Sequence, residues 1–324
     1  MNWKIKSAIM KTCSTTSVGQ IVYRMLQRAS GSIRSNPEKR VPLFLQMADW
    51  LENEDVDIKG ATIFEVGTGH LTVVPICFFL AGADRIITCD LNKRLDTKLT
   101  KETLNWFSVN SDTIRKQFGS KLDTHTFDER MLTLSKYKDD VYEFLRQANI
   151  EYRAPADATD TNIKEKSIDI HFSFTVLEHI PEKIIKDILL ESKRILKPKG
   201  VSIHFVDLSD HFEHQDKSIT RINFLQFSPK QWQNIAGNEY AYCNRLRPNQ
   251  YLKIAESVSA TVIRSEATVD LRSLETLKNG FKVDETFRDL SEDIICTRKY
   301  NFLLSFDNVS NSRDKLPALT YIYD

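Results

Sequence analysis

Apolar positions along the chain follow two rhythms. Short runs of strand length stand at ATIFEV (61–66), RIITCD (85–90), SIDIHFSF (167–174) and VSIHFVDL (201–208). Between them the spacing is helical. In VPLFLQMADWL (41–51), Val41, Phe44, Leu45, Met47, Ala48 and Leu51 share one face. In IPEKIIKDILLESKRILKPKG (180–200), Ile184, Ile185, Ile188, Leu189, Ile195 and Leu196 form a stripe. Pro181 suits the first turn of that helix, Lys197-Pro198 stops it, and Gly200 opens the following turn. Strand, helix, strand in repetition predicts a mostly parallel sheet covered on both faces. Two later runs, ATVIRSEATVDL (260–271) and RKYNFLLSF (298–306), predict two more strands with a helix around 284–293 between them.

The rhythm divides the chain. Residues 1–58 form an N-terminal helical segment, 59–308 the main domain and 309–324 a tail. Within the domain, residues 92–150 are long, polar and helical in pattern, more than a crossover needs, and predict a helical insert. Residues 209–257 are rich in Asp, His, Asn, Arg and aromatics with weak periodicity, which predicts a cap on the substrate side.

Composition narrows the class. The 324 residues carry 45 basic and 44 acidic groups, so the net charge of +1 offers no electrostatic case for nucleic acid or an anionic membrane. Cys13, Cys77, Cys89, Cys243 and Cys296 include no CxxC pair, which predicts free thiols in a reducing compartment. The start, MNWKIKSAIMKTC, has no apolar core of a secretory signal. The longest apolar run, Val73 to Ala83, is broken by Pro75 and falls short of the ~20 residues that cross a bilayer. A soluble, cytoplasmic protein is expected.

The stretch IFEVGTGHL (63–71) carries the first chemistry. A strand ending at Val66 meets Gly67-Thr68-Gly69, where glycine permits positive φ and close approach of a ligand. A dinucleotide turn wants GxGxxG, and its third glycine position holds Thr72. Glu65 precedes the glycines; a carboxylate there would repel a pyrophosphate but suits a cationic ligand. S-adenosylmethionine, with its sulfonium and ammonium, fits better than NAD. Asp90, closing the next strand, is placed to accept ribose hydroxyls with either cofactor.

Three further motifs follow in order: Asp157-Ala158, Val176-Leu177-Glu178-His179-Ile180-Pro181, and Arg194-Ile195-Leu196-Lys197-Pro198-Lys199-Gly200. With them the chain resembles the class I S-adenosylmethionine-dependent methyltransferases of the small-molecule group, over roughly residues 60–208 and out to the strand near 306. The resemblance implies a Rossmann-like seven-stranded α/β sheet with helices on both faces and an antiparallel last strand, to which this chain adds N-terminal helices and the insert. It implies that Glu65, Gly67, Thr68 and Gly69 line the methionine part of the cofactor and that Asp90 and Leu91 meet the ribose side. Asp157 and Ala158 would lie against the adenine, and Ser173, Phe174 and Thr175 would form the floor under the sulfonium. Two positions depart from the pattern: Leu71 and Lys199 stand where the family has glycine. Glu178 and His179 read as the opening of a helix, the acid favouring its dipole and the histidine either touching the cofactor or supporting the loop.

The acceptor side is expected at IHFVDLSDHFEHQD (203–216), which leaves a strand at the carboxyl edge of the sheet and carries His204, Asp207, Asp210, His211 and His214. Asp210 and His211 are the candidate catalytic pair, a base for a hydroxyl nucleophile. No metal site is assigned. The segments FLQFSPKQW and YAYCNRLRPNQY read as the cap, either lining the substrate or packing internally, and the insert as a second wall. No Asn/Asp-Pro-Pro-aromatic tetrad follows the fourth strand, where Phe174-Thr175-Val176-Leu177 stands, and no Pro-Cys pair offers a nucleophile for cytosine. The expected reaction is methylation, at oxygen, of a small-molecule or sugar acceptor. An NAD-dependent oxidoreductase is disfavoured by Glu65 and Thr72; a non-catalytic cofactor-binding protein on the same fold is the other alternative.

Overall fold

The computed structural model describes residues 1–16, 18–19, 21–23, 25, 34–119, 123–307 and 319–324. Its strands are β1 (Thr62–Val66), β2 (Arg85–Cys89), β3 (Ile150–Arg153), β4 (Ile168–Phe174), β5 (Leu196–Asp207), β6 (Thr261–Val269), β7 (Thr297–Ser305) and β8 (Thr320–Tyr323). They form one sheet in the order β3-β2-β1-β4-β5-β7-β6-β8. β1 to β5 run parallel, and β7 is antiparallel to both β5 and β6. The order reverses between β1 and β4, which places a ligand crevice at the carboxyl ends of those two strands.

The central strands are apolar on both sides because both faces are covered. Ile63, Ile86, Ile170 and Ile203 pack under the helices Pro37–Asn53 and Val73–Leu80. Phe64, Val66, Ile87 and Ile168 face the helix Glu182–Ile195. All eight residues of Val73–Leu80 are buried, since the insert covers its outer side: Phe144 meets Phe79 edge-on at 5.8 Å, and the Arg130 guanidinium donates to the carbonyls of Phe79, Gly82 and Ala83 at the helix end. The insert, helices Thr97–Val109, Ser111–Phe118, Thr124–Tyr137 and Val141–Gln147, thus packs mainly on the flank. Its start reaches the glycine loop, where His70 Nδ1 pairs with the Arg94 carbonyl at 2.8 Å.

Three features differ from the pattern-based expectation. β3 was not among the expected strands: it is a four-residue edge strand whose outward Glu151 pairs with Arg85 at 2.6 Å and Arg153 at 2.7 Å, so it lacks an apolar run. The tail ends in β8, which adds an eighth strand along β6, while residues 308–318 lie outside the described residues. In the turn after helix Glu182–Ile195, the left-handed residue is Lys199 (φ 67°) rather than Gly200. The family's glycine at that position answers a real backbone demand, which lysine meets here at a cost of about 1–2 kcal/mol.

The described helices of the N-terminal segment pack on the rest of the chain. Helix Trp3–Ser14 is tied to the cap helix Pro229–Ala236, with the Ser7 hydroxyl donating to the Ile235 carbonyl at 2.8 Å. Helix Pro37–Asn53 sets Phe44 against Phe78 at 4.9 Å and Trp50 against Phe205 at 5.7 Å. No helix among the described residues is long and apolar enough to cross a membrane.

Candidate active site

The glycine turn is held from both sides. The Gly67 and Thr68 N–H groups donate to the Cys89 carbonyl at 2.8 and 3.2 Å, so the turn folds over the end of β2. Gly67 has φ 82°, and a Cβ there would lie 2.6 Å from a Val176 methyl. The first glycine is therefore demanded by the VLEHIP segment pressed against it. Gly69 has φ 61° and donates to Asp90 Oδ2 at 2.9 Å, yet a Cβ there would meet nothing within 4 Å. That side of the turn is open.

Glu65 is 4% exposed and accepts a short hydrogen bond from Thr88, whose hydroxyl is bonded in turn to that of Thr68. Burial raises its carboxyl to about 8, against the pull of Thr88 and of Arg40. Arg40 comes from the N-terminal helix, stacks over Phe174 at 5.6 Å, and is itself lowered by burial. A cationic ligand entering beside Glu65 would restore its charge. Neither Arg40 nor Thr88 figured in the sequence reading. No local motif marks them, since both reach Glu65 only through the fold.

Asp90 follows β2. Its Oδ2 takes the Gly69 N–H and its Oδ1 the Asn92 N–H at 3.0 Å, with Arg94 Nε at 3.9 Å. Two backbone donors fix the carboxylate and leave lone pairs for a pair of hydroxyls. The Ala156 N–H donates to the Asp90 carbonyl at 3.0 Å, which pins the loop after β3 beside it. In that loop Asp157 is exposed and closes its own turn, accepting the Thr159 N–H and hydroxyl at 2.8 Å each; Ala158 packs against the Phe64–Val66 cluster. Leu91, the residue after Asp90, is 68% exposed, an apolar surface suited to the flat face of a base. Asp90→Ala is expected to weaken S-adenosylhomocysteine binding about 10- to 100-fold by calorimetry, since hydrogen bonds to a charged acceptor contribute ~1.5–3 kcal/mol. An unchanged affinity would remove Asp90 from the cofactor site.

The floor is stiff. Thr175 is exposed at φ 53°, a left-handed conformation that a β-branched residue adopts only when its surroundings impose it; its N–H is tied to the Phe205 carbonyl at 2.7 Å. Ser173 is fully buried and bonds His204 Nδ1 at 2.7 Å. From there a chain continues through the sheet: His204 Nε2 to the Ser202 hydroxyl at 2.7 Å, then to His171 Nδ1 at 2.8 Å. Burial holds both imidazoles well below their ordinary range, His171 at about 3.

Beyond the floor, side chains from two carboxyl-edge loops converge. Glu178 and His179 stand in the single turn Leu177–His179 after β4, with Asp207 at the end of β5 and His211 and His214 in the loop that follows. The His179 and His211 rings are 4.9 Å apart, and His211 stacks on His214 at 5.1 Å. The carboxylate facing the imidazoles is Asp207, 3.8 Å from His211 Nε2 and 3.7 Å from His214 Nε2. Asp210 does not form the expected dyad with His211. Its buried carboxylate accepts the Phe212 N–H at 2.8 Å and the Asn223 amide at 3.2 Å and holds the loop, its value raised by burial to about 6. Burial and the neighbouring imidazoles hold His211 low, against the pull of Asp207.

Glu178 is 0% exposed, neither of its carboxylate oxygens makes a well-formed hydrogen bond, and burial raises it well above the usual carboxylate range against the weak pull of the Glu178 and Asp207 N–H groups. The dipole role expected of it does not hold, because the next helix begins only at Glu182. His179 does support the loop, through Nδ1 to the Tyr242 carbonyl at 2.9 Å. The cap's arginines are structural. Arg245 donates to the carbonyls of Phe224 and Phe227 at 3.0 and 2.6 Å, and the fully buried Arg247 to that of Leu208 at 2.9 Å. Trp232 likewise turns inward, its indole N–H on the Cys243 carbonyl at 2.9 Å. All five cysteines are free, and Cys77, Cys89, Cys243 and Cys296 are buried.

A family profile described as a methyltransferase domain matches residues 116–204, from the insert through β5. No curated protein matches the chain. The fold is similar to that of a Galdieria sulphuraria protein assigned as a sarcosine dimethylglycine methyltransferase, at 12% identity and TM-score 0.49, covering 88% of this chain and 97% of that one. It is also similar to geranyl diphosphate C-methyltransferase from Streptomyces coelicolor A3(2), solved with S-adenosyl-L-homocysteine, at 11% identity and TM-score 0.42, covering 81% and 79%. The domain match makes residues 116–204 similar to a methyltransferase domain, and the sheet order β3-β2-β1-β4-β5-β7-β6, the antiparallel β7 and the glycine turn after β1 surround that stretch.

Proposed function

We propose that the protein methylates a hydroxyl oxygen of a small-molecule or glycan-type acceptor in the cytoplasm. The observation that carries this reading is the group of Asp207, His211 and His214 at the carboxyl end of β5, beside the turn that faces the glycine loop. S-adenosylmethionine supplies, when bound, an electrophilic methyl group on a cationic sulfur. The chain's own work is then to hold the acceptor in line, exclude water and take up the hydroxyl proton. Glu65, Gly67, Thr68, Gly69, Asp90, Leu91, Asp157 and Ala158 surround the cofactor in this reading, with Ser173 and Phe174 beneath it.

His211 is the catalytic residue on which removal of the acceptor proton depends, and Asp210 acts by positioning its loop. Burial keeps the His211 imidazole neutral and free to accept a proton, with Asp207 3.8 Å away to stabilise the imidazolium that forms. The near-neutral net charge and the free cysteines support a non-nucleic acceptor and a reducing compartment. In an acceptor screen read by release of S-adenosylhomocysteine, sugar and polyol hydroxyls should turn over. His211→Ala should then lower kcat by about 100- to 10,000-fold with cofactor affinity unchanged. Turnover unaffected by that substitution would remove His211 from the reaction.

A further inference from the structure

We infer that Glu178, His179 and His211 form a binding site for a divalent first-row transition-metal ion. One ligand atom from each lies within 4.8 Å of the others, although the residues come from two separate loops, one after β4 and one after β5. A tetrahedral ion about 2.1 Å from each donor needs donor atoms about 3.3 Å apart, which side-chain movements of about an ångström supply. Two imidazole nitrogens and one carboxylate select zinc-like ions over magnesium or calcium, which favour all-oxygen shells.

An independent observation points to a missing ligand. Glu178 is fully buried, and neither carboxylate oxygen makes a well-formed hydrogen bond; the nearest donors are the backbone N–H groups of Glu178 itself and Asp207. Buried polar groups are almost always paired, and leaving one unpaired costs about 1–3 kcal/mol or more. His211 Nε2 is likewise buried without a hydrogen bond, Asp207 Oδ2 standing 3.8 Å away.

The surroundings are those of a metal ligand set. His179 has Nδ1 on the Tyr242 carbonyl at 2.9 Å, which makes Nδ1 the protonated nitrogen and leaves the Nε2 lone pair as the one an ion could take. That carbonyl is held in the cap, and the cap's Asn244 also grips the turn, donating to the carbonyls of Leu177 and Ile180 at 2.7 and 2.8 Å. Asp207 stands next to the set, with Oδ1 anchored by the Ser209 N–H at 3.0 Å and its hydroxyl at 2.6 Å, and Oδ2 turned to His211 and His214. Three protein ligands leave a coordination position open. Resting on the methyl-transfer reading above, the ion would bind the acceptor hydroxyl there and lower its pKa; His211 would then act as its ligand in place of the base, with Asp207 and His214 placed to receive the proton.

The test uses the full chain, stripped with chelator and titrated with Zn2+ alone against a chromophoric chelator, with S-adenosylhomocysteine binding measured on the same samples. One zinc per chain is expected, with micromolar or tighter affinity. Glu178→Gln, which keeps the shape of the side chain, and His211→Ala should each weaken it at least tenfold. Both should keep S-adenosylhomocysteine affinity within about twofold, which shows that they are folded. His211→Ala, on a partly exposed loop, serves if Glu178→Gln does not fold. Absence of stoichiometric zinc on the wild type, or zinc binding by the variants equal to wild type, overturns the site. Zinc binding without S-adenosylhomocysteine binding would keep the metal site and sink the methyltransfer reading instead.

Discussion

Gly67→Ala is expected to lower affinity for S-adenosylhomocysteine by about 30-fold or more. Two costs add. Alanine at φ 82° carries about 1–2 kcal/mol of backbone strain. The new methyl would lie 2.6 Å from one Val176 methyl and 2.7 Å from the other, and overpacking of this kind costs about 1–3 kcal/mol. Valine is stiff at χ1, so the clash is relieved only by moving the turn or the segment that follows β4. Either shift misplaces Glu65 or the floor. The sum, about 2–5 kcal/mol, corresponds to roughly 30- to several-thousandfold in affinity at 1.4 kcal/mol per decade. Adding Val176→Ala removes both clashing methyls and should restore the steric part while leaving the backbone strain. If Gly67→Ala alone binds S-adenosylhomocysteine as wild type does, the turn is not the cofactor's.

In metal-free protein without cofactor, stability should peak near pH 6.5 and fall toward pH 8. The rising side comes from buried imidazoles. His171, lowered by burial from 6.5 to about 3, is neutral in the fold across a window in which the unfolded chain binds a proton. Stability therefore increases with pH up to 6.5; His204 and His211 act in the same direction. The falling side comes from acids. Glu65, raised by burial from 4.5 to about 8, keeps a proton in the fold that the unfolded chain has lost, so stability decreases as pH rises through that interval. Between pH 6.5 and 8 the imidazole contribution is flat and the Glu65 contribution declines by about 2 kcal/mol, at ~1.4 kcal/mol per unit. Glu178 adds to the same slope. Denaturant midpoints at pH 6.5, 7.25 and 8.0 should show this decline reduced in Glu65→Gln. Equal slopes in the two proteins would mean that Glu65 does not titrate there.

Most of the sheet was legible because its central strands are buried on both faces and so read as unbroken apolar runs. β3 and β8 were not, being short edge strands with polar or exposed outer sides. The glycine turn was legible for a local reason: a positive φ and a close neighbour leave their mark on the residue itself. Lys199 shows the limit of that logic, since it takes φ 67° with a side chain that gives no warning. The acceptor side was misread at one step. Asp210 and His211 are neighbours in sequence, but adjacent side chains on a loop diverge. The carboxylate that reaches His211 is Asp207, four residues back, and the acid that shares its space, Glu178, arrives from another strand. Arg40 and Thr88 meet Glu65 only through tertiary packing, so no motif could have announced them.

The chain Ser173–His204–Ser202–His171 has a further property. Each neutral imidazole carries one proton, and each hydroxyl between them has one to give, so the hydrogens admit two ordered arrangements. In one, Ser173 donates to His204 Nδ1, His204 Nε2 donates to Ser202, and Ser202 donates to His171 Nδ1. In the other every arrow reverses, and Ser173 becomes an acceptor whose own hydrogen is free for the space above. The polarity that the floor shows to whatever rests on it is thus decided three hydrogen bonds away, by the tautomer of His171.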